Sequence, residues 1–367
     1  MLYNFLISLV DQYSALNVFR YLTFRTGLSV MSSMIVVFLV GGPFIKFIQS
    51  HKFTGPIRDD GPEEHIVKKI GTPTMGGVLI LIGILFGTLL WADLNNIYVW
   101  ILLMVATSFG LLGAVDDYLK IKRNNSKGIS FRAKIIWQIV LSLIAVFLLL
   151  KYSDNENLTN LYFPFFKDLT LHLGLFFIPF VIFIIAGSSN AVNLTDGLDG
   201  LATVPVILVA LSFTFICYVV GNTVFSEYLQ ILYIPNVGEA SVFCGSIVGA
   251  CLGFLWYNSN PAIIFMGDTG SLALGTALGT LAVLLRKEIL LIIIGGVFVI
   301  EALSVIIQVL YFKYTKRKYG TGKKMFLMAP IHHHFEQKGL PESRIVVRFW
   351  IIGVLLALFS LSSFKLQ

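Results

Sequence analysis

The sequence predicts an all-α integral membrane protein with about ten transmembrane helices, and three observations support this class. Of 367 residues, 56% are hydrophobic and only 13% are charged, whereas soluble domains carry about 25% charged residues. The mean hydropathy is +0.83. Apolar runs also recur along the chain at about the 20 residues that a helix needs to cross the hydrocarbon core.

Ten runs reach or approach this length, and the ninth is the longest. The glycine pair Gly295 and Gly296 lies inside the ninth run, so we expect that helix to be bent or broken. The runs cover residues 28–48, 74–92, 97–115, 134–150, 171–187, 201–221, 240–256, 269–285, 288–312 and 346–364.

The first 27 residues contain apolar stretches that Asp11 and Arg20 interrupt too early for a span. No basic leader with a cleavage site is visible, so an interfacial helix is the expectation here. All three cysteines fall inside predicted spans. We expect them to be buried thiols rather than disulfides or metal ligands.

Positive charge predicts the orientation, because cytoplasmic loops retain Lys and Arg. Of the 27 Lys and Arg residues, 19 lie in the loops that follow the first, third and ninth spans. These loops are therefore predicted to be cytoplasmic, with both termini periplasmic. The net charge of +7 reflects this face and does not indicate a nucleic-acid partner. We expect one membrane domain over residues 1–367, with its active site on the cytoplasmic loops.

Two adjacent carboxylates, Asp116 and Asp117, end the third span. They repel each other and also meet the negative end of the helix dipole, so a positive charge must compensate them. Lys120, Lys122 and Arg123 could do so as plain ion pairs. A divalent cation or a phosphate-binding role is the alternative.

Two further polar segments follow the fifth and seventh spans. Residues 190–200 hold two Asn, one Thr and two Asp without any Lys or Arg, and residues 258–271 hold Asp268 between glycines. Such residues are ordinary helix caps and turn formers. Their density in the first segment, and the suitability of a carboxylate for Mg²⁺ in the second, favour function. Phe265 either packs or stacks on a base.

Three consecutive histidines, His332 to His334, follow the ninth span. A zinc site is the competing interpretation, but sequence neighbours rarely all face one ion, and no cysteine accompanies them. Imidazoles suit phosphate binding and proton transfer near neutral pH, so contacts to a diphosphate are favoured.

All four polar clusters fall in loops that charge counting assigns to one side, so they can converge. Carboxylates with Lys and His indicate metal-assisted phosphoryl chemistry at a membrane surface. A transporter is the rival class, but transporters place ionisable residues near the middle of the bilayer. Glu301 is the one carboxylate deep in a span, and we expect it to be hydrogen-bonded within the bundle.

Taken in this order, the four clusters resemble the polyprenyl-phosphate N-acetylhexosamine-1-phosphate transferase superfamily over essentially the whole chain. The segments Gly71–Gly77, Asn190–Gly200 and Pro330–Glu336 are similar to its phospho-N-acetylmuramoyl-pentapeptide transferase branch. The chain lacks the His-x-His-His-Arg pattern of relatives that transfer plain N-acetylglucosamine phosphate.

The resemblance implies a multi-pass enzyme of the bacterial inner membrane that uses Mg²⁺. It would transfer phospho-N-acetylmuramoyl-pentapeptide from its UDP derivative to undecaprenyl phosphate, forming lipid I and UMP. The oligomeric state stays open, with a homodimer as one alternative, and so does the choice between one and two chemical steps.

The resemblance also implies roles for individual residues. Asp268 would bind Mg²⁺, Asp116 would deprotonate or orient the lipid phosphate, and Asp117 would assist. Asn193, Asp196 and Phe265 would lie near the uridine, and Lys69, Lys120, His332 and His333 would bind phosphates or shape the site.

Overall fold

The fold is almost entirely helical, as predicted. A computed structural model describes residues 1–51, 53, 71–123, 128–153, 158–164, 166 and 169–363. Within these residues one short antiparallel hairpin accompanies the helices. The elements are α1 (Leu2–Ser8), α2 (Leu22–Ser50), α3 (Gly77–Trp91), α4 (Ile97–Arg123), α5 (Phe131–Tyr152), β1 (Asn160–Tyr162), β2 (Thr170–His172), α6 (Phe177–Thr195), α7 (Thr203–Val220), α8 (Thr223–Leu229), α9 (Ala240–Asn258), α10 (Gly267–Leu284), α11 (Glu288–Ile294), α12 (Gly296–Tyr319), α13 (Ile331–Gln337) and α14 (Glu342–Ser362).

Eight helices in the described part of the chain are long and apolar enough to cross a membrane, fewer than the ten that the sequence predicts. The two predicted spans that do not qualify are 74–92 and 269–285. The first contains α3, which is only 15 residues long. The second is α10, whose 18 residues include several Gly and Thr that lower its hydropathy. The membrane class is confirmed, and a crossing by α3 and α10 stays a prediction.

Helix α10 lies at the centre of the bundle rather than against lipid. Every residue from Thr269 to Leu284 is buried, and the helix packs against α4 and α6. Small residues permit this closeness, since a Cβ at Gly275 would overlap the backbone of α6 at Ser188. The small residues that lower the hydropathy of α10 therefore also let it pack closely at the centre of the bundle.

The predicted break in the ninth span is confirmed. Helix α11 ends at Ile294 and α12 begins at Gly296, so Gly295 separates them. The first span instead begins at Leu22, six residues before the predicted start. Arg25 belongs inside the helix because its guanidinium pairs with the Glu239 carboxylate at 2.5 Å and lies over the Tyr3 ring. The three cysteines are free and buried, as expected.

The first described residue, Met1, and the last, Ser363, both lie away from the end of the bundle where Asp116 and Asp268 lie. We call the end where α4 finishes and α10 begins the inner end, and the opposite end the outer end. Helix α9 runs from Glu239 to the inner end, so the Arg25 partner of Glu239 lies at the outer end, near the N-terminus. Helix α14 starts at the inner end, where Glu342 accepts the N–H of Asp199, and its 21 residues extend about 31 Å away.

The topology in which the inner end is cytoplasmic and both termini are outside stays a prediction. We expect an epitope tag at either terminus to be reached by antibody or protease from the periplasmic side of spheroplasts. A tag inserted after Gly320, between α12 and α13, should be reached only after the membrane is opened. A cytoplasmic C-terminal tag together with a cytoplasmic Gly320 tag would mean that α14 does not cross.

Candidate active site

Two helix ends bring three carboxylates around one lysine at the inner end. Asp116 and Asp117 lie in the last turns of α4, and Asp268 lies in the first turn of α10. The Lys120 ammonium is 2.6 Å from Asp116 Oδ2, 3.2 Å from Asp268 Oδ2 and 4.0 Å from Asp117 Oδ1. The first and third predicted clusters therefore form one site. Lys120 provides part of the predicted compensation as a direct ion pair.

Lys134 is a site residue that sequence reasoning missed. It lies in the first turn of α5, and its ammonium is 2.6 Å from Asp268 Oδ2. The sequence around Asp268 contains no Lys or Arg, and the prediction drawn from this, that Asp268 has no basic neighbour, is wrong, since two lysines contact the same carboxylate oxygen. In the sequence Lys134 looks like any other cation of a cytoplasmic loop, and no local signal separates it from them. Only the packing of α5 beside α10 reveals it.

Asp117 is a helix cap supplied by another helix. Its Oδ1 accepts the N–H of Asp268 at 3.1 Å, and its Oδ2 accepts the N–H and the hydroxyl of Thr269 at 3.0 and 2.7 Å. The first turn of a helix has free N–H groups and a positive dipole, so a carboxylate there stabilises it. Asp268 itself does not cap α10, contrary to one of the two alternatives considered for it. Asp117 therefore fixes the backbone that presents Asp268.

The second predicted cluster joins the same site from α6. Asn193 donates through Nδ2 to Asp268 Oδ1 at 2.9 Å and to Ser271 Oγ at 2.8 Å. Asn190 lies one turn earlier and exchanges hydrogen bonds with Gln138 of α5. Both asparagines belong to the last turns of a helix, whereas the sequence predicted a loop. Asp268 is thus held by Asn193 on one oxygen and by the two lysines on the other.

The segment 71–77 lies beside the residues that precede α10. Phe265 donates its N–H to Pro73 O at 2.9 Å, and Gly76 donates to Phe265 O at 2.8 Å. A Cβ at Gly77 would overlap the backbone of Gly270, so only glycine permits this approach. Phe265 is thereby fixed three residues before Asp268. Lys69, a predicted phosphate-binding residue, lies outside the described residues.

The three histidines of α13 face three different partners. His332 Nδ1 is 3.0 Å from Glu301 Oε2, His333 Nδ1 is 2.6 Å from Glu336 Oε2, and His334 Nδ1 accepts the N–H of Leu327 at 3.1 Å. They do not converge on one point, which argues against the zinc alternative. The expectation that Glu301 is hydrogen-bonded within the bundle is confirmed.

His332 also meets the end of the second predicted cluster. Its ring edge lies so close to Gly197 that a Cβ there would overlap Nε2. Gly197 follows Asp196, the C-terminal cap residue of α6. One turn before that cap, on the same helix, is Asn193. Helix α6 therefore links the carboxylate cluster to the histidine helix.

A cavity of 520 Å³ opens at the outer end, between Asp93, Tyr98, Asn236 and Glu239. Tyr98 is the second residue of α4 and Asp116 lies 18 residues further on, so about 27 Å separates them along the helix. The carboxylates at this cavity are already paired, Glu239 with Arg25 and Asp93 with the Asn95 amides. The cluster of Asp116, Asp117 and Asp268 lies at the other end.

Comparison with known proteins gives a consistent result. The model of glycosyl transferase family 4 matches residues 99–286, and the first phospho-N-acetylmuramoyl-pentapeptide-transferase signature matches residues 69–81, where the sequence shows Gly71–Gly77. The chain is 64% identical over its whole length to the phospho-N-acetylmuramoyl-pentapeptide-transferase of Pelagibacter ubique. It is 53% identical to those of Rickettsia bellii and Citrifermentans bemidjiense, again with full coverage of both chains. The chain belongs to the phospho-N-acetylmuramoyl-pentapeptide-transferase family.

Proposed function

We propose that the chain transfers phospho-N-acetylmuramoyl-pentapeptide from UDP-N-acetylmuramoyl-pentapeptide to undecaprenyl phosphate, forming lipid I and releasing UMP. One observation carries the proposal. Three carboxylates and two lysines from three helices meet at one end of a membrane bundle, where a lipid head group and a soluble nucleotide can both arrive. A transporter would require such groups along a path through the bilayer.

The lysines and the carboxylates have different roles in the proposed reaction because their charges are opposite. Lys120 and Lys134 bind the phosphate oxygens that gain negative charge as the diphosphate breaks. Asp116 Oδ1 accepts the N–H of Ile129 at 2.5 Å, and Oδ2 pairs with Lys120. A phosphate monoester is largely ionised at neutral pH, so the lipid phosphate can attack without a protein nucleophile. We therefore favour one direct displacement, in which Asp116 orients Lys120 and the attacking lipid phosphate.

Mg²⁺ suits the donor set at Asp268. A carboxylate is a hard oxygen ligand, and a bound ion would take the place of a lysine ammonium on Asp268 Oδ2, releasing that lysine to the substrate phosphates. No group of three or more His, Cys, Asp or Glu in the described residues has an arrangement that holds a metal alone. Mg²⁺ normally takes one or two carboxylates and completes its shell with water and substrate phosphates. When bound, it would neutralise charge on the diphosphate, with Asp268 as its protein ligand.

The chain is a multi-pass membrane protein, and we propose the bacterial inner membrane as its location, since the nucleotide donor is cytoplasmic. A homodimer is the proposed alternative to a monomer. Light scattering of the protein in detergent distinguishes the two.

The reaction can be tested with purified protein in detergent. We expect UMP release and a lipid-linked product when UDP-N-acetylmuramoyl-pentapeptide, undecaprenyl phosphate and Mg²⁺ are all present. The matched control replaces the donor with UDP-N-acetylglucosamine, which should give no product. Equal rates with both donors would contradict the assigned substrate. No UMP from either donor would contradict the transferase reaction.

Removal of Lys134 should damage turnover without unfolding the protein. Lys134→Gln eliminates one charge-assisted contact, which typically contributes about 1.5 to 3 kcal/mol. We expect kcat/KM to fall roughly ten- to a hundred-fold, measured as initial rates of UMP release. Arg132→Gln is the control, because Arg132 is an exposed cation on the same helix. Equal losses in both variants would mean that only the charge of the surface matters.

A further inference from the structure

Among the described residues, the buried carboxylate of Glu301 has one hydrogen-bond partner. It lies on α12, is 0% exposed, and its Oε2 is 3.0 Å from Nδ1 of the equally buried His332. A carboxylate can only accept a hydrogen bond, so Nδ1 must carry the proton of this contact. Glu301 therefore selects the His332 tautomer that has its proton on Nδ1.

The other ring nitrogen of His332 has no partner. Nε2 is buried and makes no hydrogen bond within the described residues, although burying an unpaired polar atom costs about 1 to 3 kcal/mol. This atom abuts Gly197, in the turn that follows α6. An unsatisfied buried group at such a place calls for an explanation, and a functional contact is one.

Packing prevents the ring from turning away. Ile331 and Phe335 lie one helical turn apart on α13 and pack into an apolar cluster with Leu198, Leu201 and Phe349. This packing fixes the orientation of the short helix, and the contact of His332 with Glu301 places the ring against α12. The hydrogen bond to Glu301 then fixes the rotation of the imidazole ring about its bond to Cβ. The neighbouring pair of Glu336 and His333 repeats the arrangement, again through Nδ1.

We propose that Glu301 is a positioning residue for the transfer reaction, acting through His332. By accepting the hydrogen bond from Nδ1–H, Glu301 leaves Nε2 unprotonated, so that it can accept a hydrogen bond from a donor group of the substrate beside Gly197. Second-sphere carboxylates act on histidines in this way at many sites, where they set both the tautomer and the ring orientation. The inference rests on the proposed function, because it requires a substrate at the end of α6.

Glu301→Gln tests the proposal with the packing preserved. The amide can donate to Nδ1 and so select the opposite tautomer. We expect kcat for UMP release to fall roughly ten- to a hundred-fold, with unchanged KM for the sugar nucleotide and an unchanged unfolding temperature. Ser304→Ala is the matched control, since Ser304 is buried on the same helix and its hydroxyl donates to the backbone carbonyl of Glu301, so its loss leaves the Glu301 carboxylate in place. It should keep wild-type kcat.

A double-mutant cycle identifies the path of the effect. If Glu301 acts through His332, Glu301→Gln should cost little further activity in a His332→Ala background. Histidine ¹⁵N shifts, assigned to His332 by its loss in His332→Ala, should also show the tautomer reversed in Glu301→Gln. The proposal would be overturned if the activity losses of Glu301→Gln and His332→Ala multiplied in the double variant, or if His332 kept its tautomer in Glu301→Gln. Wild-type protein that releases no UMP would instead contradict the transferase function itself.

Discussion

Asp268→Asn is expected to lower kcat for UMP release by about a thousand-fold or more. Asp268 is the carboxylate on which Lys120, Lys134 and Asn193 converge, and the proposed Mg²⁺ ligand. Loss of metal-based charge stabilisation removes several kcal/mol from the transition state, and each 1.36 kcal/mol is a factor of ten. Partial recovery at high Mg²⁺ is expected, because the amide oxygen and the substrate phosphates still bind the ion weakly.

The measurement is the initial rate against Mg²⁺ concentration for purified wild type and variant. Asp93→Asn is the control, since Asp93 is a hydrogen-bonded carboxylate at the outer end and its loss should leave kcat unchanged. A variant that keeps the wild-type dependence on Mg²⁺, with only a small fall in kcat, would remove Asp268 from the metal site.

Asp116→Asn is the second large effect, with a loss of about a hundred- to ten-thousand-fold in kcat. The asparagine cannot form the ion pair that holds Lys120 at 2.6 Å, nor take a proton from the lipid phosphate. Added Mg²⁺ should not restore the rate, because the defect lies in orientation or proton transfer at the attacking phosphate. Initial rates at several Mg²⁺ concentrations distinguish this variant from Asp268→Asn.

Asp116 also decides between one and two chemical steps. With a single displacement, wild-type protein given the nucleotide donor and Mg²⁺ but no undecaprenyl phosphate should release no UMP. A burst of UMP equal to the amount of enzyme, absent in Asp116→Asn, would instead indicate a covalent intermediate on Asp116. Asp117→Asn is the comparison variant, since Asp117 caps α10 and its loss should chiefly lower the unfolding temperature.

Several features of the site followed from the sequence, and others did not. The convergence of Asp116, Asp268 and Asn193 was expected from the sequence. All three follow odd-numbered predicted spans, and successive spans cross the membrane in alternate directions, so these segments lie on the same side. The roles of the charges within the cluster were not. Asp117 was expected to assist Asp116, whereas in the structure it caps another helix.

By itself, the sequence determined the membrane class, the break at Gly295 and the side on which the polar clusters gather. These are local properties: the length of an apolar run, a glycine pair and a count of cations are each legible within a few tens of residues. Tertiary structure alone decided which groups touch. Lys134 meets Asp268 across 134 residues of chain, and Glu301 meets His332 across 31, because helix packing sets these contacts. No periodicity encodes which face of one helix meets which face of another. The fold class can therefore be predicted from the sequence, whereas the ion pairs and hydrogen bonds of the site depend on how its helices pack.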